Sequence, residues 1–336
     1  MSELNKIVLK ILSNGKGILA ADESNGTMTK RLDSVNVPSS PENRLLFRET
    51  LFSSDGIKEF IGGVILYDET INQTSNLKKT IPELISISGA VPGIKVDTGA
   101  KVLAGSTKEK ITEGLDGLRE RLQIYYKLGA RFTKWRGVYS ISDKYPSELS
   151  LHSNAHALAR YSALVQECGM VPIVEPEILM DGDHSAETCL NKTSQVLKKC
   201  FEELIIQKID LSGIILKPNM ILPGSSSNKK ISSEEVAKLT LKCLKENVPT
   251  NVPGIAFLSG GQTEIEATKN LNLINKYNDT NFIMTYSYGR ALQQGALKFW
   301  SKNINDIKGT QKVFNHRAKM CTLAAQGKWS AELEAK

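Results

Sequence analysis

Ionisable residues in this sequence stand where short apolar runs end. Asp22 closes the run Gly17–Asp22, with Glu23 and Ser24 directly after it. Lys95 and Asp97 sit in Gly93–Asp97, Lys134 and Arg136 flank Trp135, and Glu175 and Glu177 lie within Val171–Leu179. Lys217 follows Ile214, Ile215 and Leu216. In an extended chain a spacing of two puts Lys134 with Arg136, and Glu175 with Glu177, on one face. Buried isolated charges are too costly to keep unless they are paired or used. Any one of these residues fits a structural ion pair as well as a functional role. Five strand ends carrying them together point to function.

Lys217 is the sharpest of them. Pro218 ends the regular backbone just after it. Desolvation, with Lys134 and Arg136 nearby on another strand, would disfavour the ammonium and leave a nucleophilic amine. Such an amine attacks a ketone and forms a Schiff base. Its own strand, taken alone, favours a plainer reading: a lysine whose stem packs while its head reaches water. Two glycine-bearing turns add anion sites. Ser259, Gly260 and Gly261 follow one apolar run, and Ser287, Tyr288, Gly289 and Arg290 end another. Small residues let a ligand approach backbone N–H groups, helix N-termini favour anions, and an arginine fork suits phosphate.

Such groups need a frame that brings distant strand ends together. Eight apolar, β-branched runs recur: Gly17–Asp22, Ile61–Asp68, Val91–Asp97, Phe132–Tyr139, Val171–Leu179, Gly213–Leu222, Ile255–Gly260 and Phe282–Gly289. Helical periodicity fills Glu113–Leu128, Ser150–Cys168, Ala186–Ile209 and Ser233–Glu246 between them. Strand starts recur at roughly 30 to 45 residues, the size of a βα unit. Eight units predict an α/β fold, a single (β/α)8 TIM barrel with its chemistry at the C-terminal strand ends and phosphate after strands seven and eight. An open doubly wound sheet would carry a GxGxxG-type turn after its first strand, which Gly17–Thr27 does not supply. No linker divides the chain. One catalytic domain over 1–336 is expected, with a short flexible tail from about 329.

Composition narrows the ligand class. The 336 residues are 40% apolar, enough for a full core, and carry a net charge of +7 that suits anions. The basic residues are scattered as doublets with no interleaved aromatics, which argues against nucleic acid. Five well-separated cysteines without a CxxC pair read as reduced thiols, and no signal peptide or membrane-spanning run is apparent, so a cytoplasmic protein is expected. His152 and His156 have a spacing that can bind metal, and Asp181–His184 could hold a cation, but neither has an obvious third ligand. No metal and no cofactor are expected.

In order along the chain, GILAADESNG, GGVIL, GIKVD, KWR, VPIVEPEIL with DGDH, LKPNM, FLSGGQ and SYGRAL resemble class I fructose-bisphosphate aldolases, over about Leu12 to Trp329. The resemblance implies Lys217 as Schiff-base lysine, Glu175 as main acid/base with Glu177 as its partner, and catalytic roles for Asp22 and Lys134. It places substrate phosphates on Ser259, Gly260, Gly261, Ser287, Gly289 and Arg290 at one side. Arg31 and Lys95 would hold the other, assisted by Ser24 and Thr27, with Arg136 also binding substrate. It implies reversible, metal-independent cleavage of fructose 1,6-bisphosphate to dihydroxyacetone phosphate and glyceraldehyde 3-phosphate, in glycolysis and gluconeogenesis, by a soluble enzyme that is often a homotetramer. Vertebrate-type members end in a tyrosine that helps protonate the enamine. The last tyrosine here is Tyr288, so another group or a water is expected in that step. The residues alone leave two other readings open: a metal-dependent phosphosugar aldolase or isomerase, and a non-catalytic barrel that binds a phosphorylated ligand.

Overall fold

All eight apolar runs become parallel strands of one closed barrel. The computed structural model describes residues 2–335. The strands are β1 (Gly17–Ala20), β2 (Ile61–Leu66), β3 (Val91–Lys95), β4 (Gly99–Val102), β5 (Lys110–Glu113), β6 (Phe132–Tyr139), β7 (Val171–Ile178), β8 (Ile215–Leu216), β9 (Gly254–Phe257) and β10 (Ile283–Tyr288). The barrel closes in the order β1-β10-β9-β8-β7-β6-β3-β2. β4 and β5 form a separate antiparallel hairpin that the sequence reading did not anticipate. The chain turns into and out of it at Gly99, Gly105 and Gly114, all at positive φ. This hairpin takes Glu113, so the helix expected from Glu113 begins at Leu118.

Side chains alternate along each barrel strand, and the inward set changes character from one end to the other. Ile18, Ile65, Val91, Phe132, Val171, Ile173, Ile215 and Ala256 pack together inside the barrel with Val8, Ile11 and Leu12 of the N-terminal helix Glu3–Leu12. That helix therefore plugs the N-terminal mouth. Two residues further along, the same inward face carries Lys134 and Arg136 after Phe132, and Glu175 and Glu177 after Ile173. Trp135 faces the opposite way, fully buried against Tyr161 of the surrounding helices with ring centroids 5.4 Å apart.

β8 is shorter than its apolar run. Leu211–Gly213 is a 3-10 turn, and Pro218 cannot donate to a ladder. Two further bonds carry the chain past the strand: Lys217 N donates to Val174 O at 2.8 Å and Leu258 N donates to Pro218 O at 3.1 Å. At the C-terminus, the stretch expected as a tail forms a short 3-10 helix, Ala331–Ala335. Trp329 is buried there, its backbone N donating to Asn272 Oδ1 at 3.0 Å, and Arg317 pairs with Glu334 at 2.8 Å. No helix among the described residues is long and apolar enough to cross a membrane.

Candidate active site

The C-terminal mouth of the barrel holds a cleft of about 360 Å³. Each wall is a strand end or the loop after it. β1 delivers Asp22 and Glu23, and the helix Asn25–Asp33 that follows delivers Ser24 as its N-cap, Thr27 and Arg31. β3 delivers Lys95, β6 Lys134 and Arg136, β7 Glu175 and Glu177, and β8 Lys217. Ser259 and Gly260 follow β9, while Ser287, Gly289 and Arg290 end β10. Every residue expected at the site lines this cleft except Gly261. Gly261 takes a φ of +76°, and a Cβ added there would stand 2.9 Å from Met180.

A chain of opposite charges crosses the floor. Lys217 Nζ lies 3.1 Å from Glu175 Oε1. The other oxygen of Glu175 lies 3.5 Å from Lys134 Nζ, and Lys134 in turn is 2.8 Å from Asp22 Oδ2. Lys134, Glu175 and Lys217 are all buried. Burial pushes the Asp22 carboxyl up, but Lys134, Lys217 and Lys95 outweigh it and hold the group down at about 2. Burial pulls Lys134 down, and Asp22, Glu175 and Asp97 more than reverse this, so it titrates above an ordinary lysine. Arg136 pairs with Glu177; burial pulls it down, and the bond to Glu177 together with the charges of Glu177, Glu175 and Asp97 more than reverses this. The sequence reading expected Lys134 and Arg136 near Lys217, and Lys134 is there, on the other oxygen of Glu175. The close charged partner of Lys217 itself is a carboxylate, which can take or give the amine's proton.

The two sides of the cleft are built for anions. The helix Arg290–Trp300 starts directly after Gly289 without a side-chain cap, which sets the positive end of its dipole beside Arg290. Ser287 Oγ is buried there with no hydrogen-bond partner among the described residues. Across the mouth, the helix after Ser24 offers a second N-terminus, with Arg31 and Lys95 nearby; Lys95 is 3.1 Å from Asp97. Two groups suited to anions flank the lysine–carboxylate chain.

This arrangement agrees with what the chain is similar to. A model of the family described as "Fructose-bisphosphate aldolase class-I" matches residues 3–336. A probable fructose-bisphosphate aldolase class 1 from Xylella fastidiosa is 46% identical over 98% of this chain and 99% of its own length. The cytosolic fructose-bisphosphate aldolase 4 of Arabidopsis thaliana is 47% identical over 95% of this chain and 82% of its own. A crystal structure of the Plasmodium falciparum aldolase, in complex with TRAP and a small-molecule inhibitor, superposes with a TM-score of 0.96. It is 42% identical, covering 98% of this chain and 95% of that one. This chain belongs to the class I fructose-bisphosphate aldolase family.

Several residues that shape the aldolase site were not legible in the sequence. Glu23 pairs with Arg31 and lies 3.4 Å from the fully buried Arg48. Gln293, from the helix after β10, donates to Ala20 O at 2.8 Å and to Glu23 Oε1 at 2.9 Å. Asn219 of LKPNM accepts from Ile178 N at 3.1 Å and so joins the ends of the Lys217 and Glu175 strands. Pattern could flag Asn219 as a polar residue in an apolar run; nothing local flags Arg48 or Gln293. The histidines lie elsewhere. His152 and His156 each set Nδ1 3.1 Å from one oxygen of Glu203 on the outer helices. Among the described residues no group of three or more His, Cys, Asp or Glu is arranged to hold a metal ion.

Proposed function

We propose that this aldolase cleaves fructose 1,6-bisphosphate reversibly into dihydroxyacetone phosphate and glyceraldehyde 3-phosphate, with Lys217 as the Schiff-base residue. The observation that carries the reading is the Lys217–Glu175–Lys134–Asp22 chain, with successive contacts of 3.1, 3.5 and 2.8 Å. Glu175 can relieve the Lys217 ammonium of a proton, and the amine attacks C2 of the open-chain ketose. Glu175 then donates a proton so that water leaves, giving an iminium. Asp22 takes the C4 hydroxyl proton, the C3–C4 bond breaks, and its electrons pass into the iminium to give an enamine. An acid as strong as Asp22 does not keep that proton. The proton passes to water at the open mouth of the cleft, while Lys134, between Asp22 and Glu175, keeps both carboxylates charged and in position. The aldehyde leaves first; protonation at C3 and hydrolysis then release dihydroxyacetone phosphate.

Strand order supports the placement of the phosphates. β9 neighbours β8, so the turn at Ser259 and Gly260 lies beside Lys217 and suits the C1 phosphate, which is one carbon from C2. β1 and β3 are each three strands from β8, which puts Arg31 and Lys95 on the C6 side. Two fixed anions align the sugar and lower the entropic part of the barrier.

The test is borohydride reduction of the protein with dihydroxyacetone phosphate, followed by peptide mass spectrometry. The expected adduct is on Lys217, and Lys217→Met should lose nearly all turnover while keeping its fold. A modified residue elsewhere, or full activity in Lys217→Met, would remove the mechanism. We further propose one domain over residues 1–336, a cytosolic setting like that of the cytosolic Arabidopsis relative, and a homotetramer. Calorimetry should then give a single transition, and sedimentation at the mass of one chain would remove the tetramer.

A further inference from the structure

We propose that Arg48, which does not reach the cleft, is a positioning residue for the C6 phosphate: it holds Glu23, and Glu23 aims Arg31. The inference rests on the reading above, in which Arg31 serves that phosphate.

Arg48 projects from the helix Pro41–Phe52 and is fully buried. One guanidinium nitrogen donates to Thr70 Oγ1 at 2.7 Å. Another donates to the backbone O of Glu23 at 2.8 Å and lies 3.4 Å from its Oε2, while Nε has no partner among the described residues. A buried ion pair can often be replaced by apolar side chains of similar volume at no loss. The contacts of Arg48 converge on the turn after β1, at the edge of the cleft.

Glu23 is held from three sides. Arg48 fixes its backbone and Oε2, Gln293 donates to Oε1 at 2.9 Å, and Arg31 pairs with the same oxygen. Arg31 thereby has a fixed bearing. One terminal nitrogen is on Glu23, and the side chain lines the cleft wall. Charge counting gives the second reason. Arg31 and Glu23 alone make a neutral pair with little pull on an anion. With Arg48 sharing the carboxylate, the trio carries one net positive charge, and Arg31 is its only cation at the cleft wall. Arg48 thus both orients Arg31 and leaves it charge to spend on phosphate.

The experiment compares fructose 1,6-bisphosphate with fructose 1-phosphate, which lacks the C6 phosphate, in the wild type, Arg48→Met, Arg48→Lys and Thr70→Val. Arg48→Met should raise KM for the bisphosphate about ten-fold, the scale of one charge-assisted hydrogen bond. KM for the monophosphate, and kcat for both, should stay within about two-fold on that same scale. Arg48→Lys keeps the charge without the fork and should recover part of the loss. Thr70→Val removes one anchor only and should shift KM the same way by less. It decides the matter with Arg48→Lys if Arg48→Met does not fold. Equal losses on both substrates, or an unchanged bisphosphate KM in the folded variants, would overturn the proposal. A wild type that cleaves neither sugar would overturn the proposed reaction instead.

Discussion

Asp22 shows how a residue's chemistry depends on neighbours that are far away in sequence. Its carboxyl is held at about 2 against an ordinary 3.8, so it is ionised in the folded protein at any pH the enzyme would meet. A depressed carboxylate stabilises the fold above its unfolded value and loses that contribution as pH falls through the folded one. The window is therefore from about pH 4 down to about pH 2. Lys134 has the opposite sign: its raised value contributes below the ordinary lysine range and is lost only in strong base. We expect Asp22→Asn to be about 2 kcal/mol less stable than wild type at pH 6, by the linkage between shift and stability. Urea titrations should show the gap closing as pH approaches 2.5. Turnover in the same variant should fall by roughly 10² to 10⁴, the usual contribution of a positioned base. Lys217 and Glu175 were legible from type and spacing. The contact between them was not, because pairing across β7 and β8 is a matter of register.

At the scale of elements, the weak point is β8. Its ladder consists of Ile215 opposite Ile173, and Leu216 opposite Val174 and Ile255. Asn219 supplies the missing bond: Oδ1 accepts from Ile178 N at 3.1 Å, and Nδ2 donates to Thr193 Oγ1 and Met220 O, each at 3.2 Å. Asn219→Ala would leave a buried N–H unpaired on β7, which costs about 1 to 3 kcal/mol. We expect a lower melting temperature and slower borohydride trapping at saturating dihydroxyacetone phosphate, since Lys217 would drift from Glu175. Trapping at the wild-type rate would mean that Asn219 serves the fold alone. The β4–β5 hairpin escaped the sequence reading because its strands are four residues each, mostly exposed, and pair only with one another. Short polar strands of that kind carry no burial pattern to detect.

At the scale of the whole molecule, the barrel works because its two mouths are treated differently. The helix Glu3–Leu12 seals one with Val8, Ile11 and Leu12, leaving the other open for substrate. Sealing requires contact with the strands at backbone distance. A Cβ on Gly62 would stand 1.7 Å from Ile11 O, and one on Gly254 would stand 1.9 Å from Leu12 Cδ1. Gly62→Ala must therefore displace the plug. Overpacking of this kind costs about 1 to 3 kcal/mol or more. We expect a clear fall in melting temperature with an unchanged KM for fructose 1,6-bisphosphate, because the cleft is at the far end. A raised KM without loss of stability would show that the two mouths are coupled.

The sequence by itself determined the barrel and the cast of the site. Alternation and strand length are local properties, and strand-end charges follow from the rule that chemistry sits where the strands stop. Lys217, Glu175, Asp22, Lys134 and the two glycine turns were flagged on that basis, and the family resemblance supplied their expected roles. Only the tertiary structure decided what each of them touches. It set Lys217 against a carboxylate, left Gly261 out of the cleft lining that Ser259 and Gly260 share, and brought in Arg48 from 25 residues beyond Glu23 and Gln293 from 270 beyond it. These are pairings between groups on different strands and helices. Their strength depends on desolvation and on distances of a few ångströms, which closing the barrel fixes and residue spacing along the chain does not.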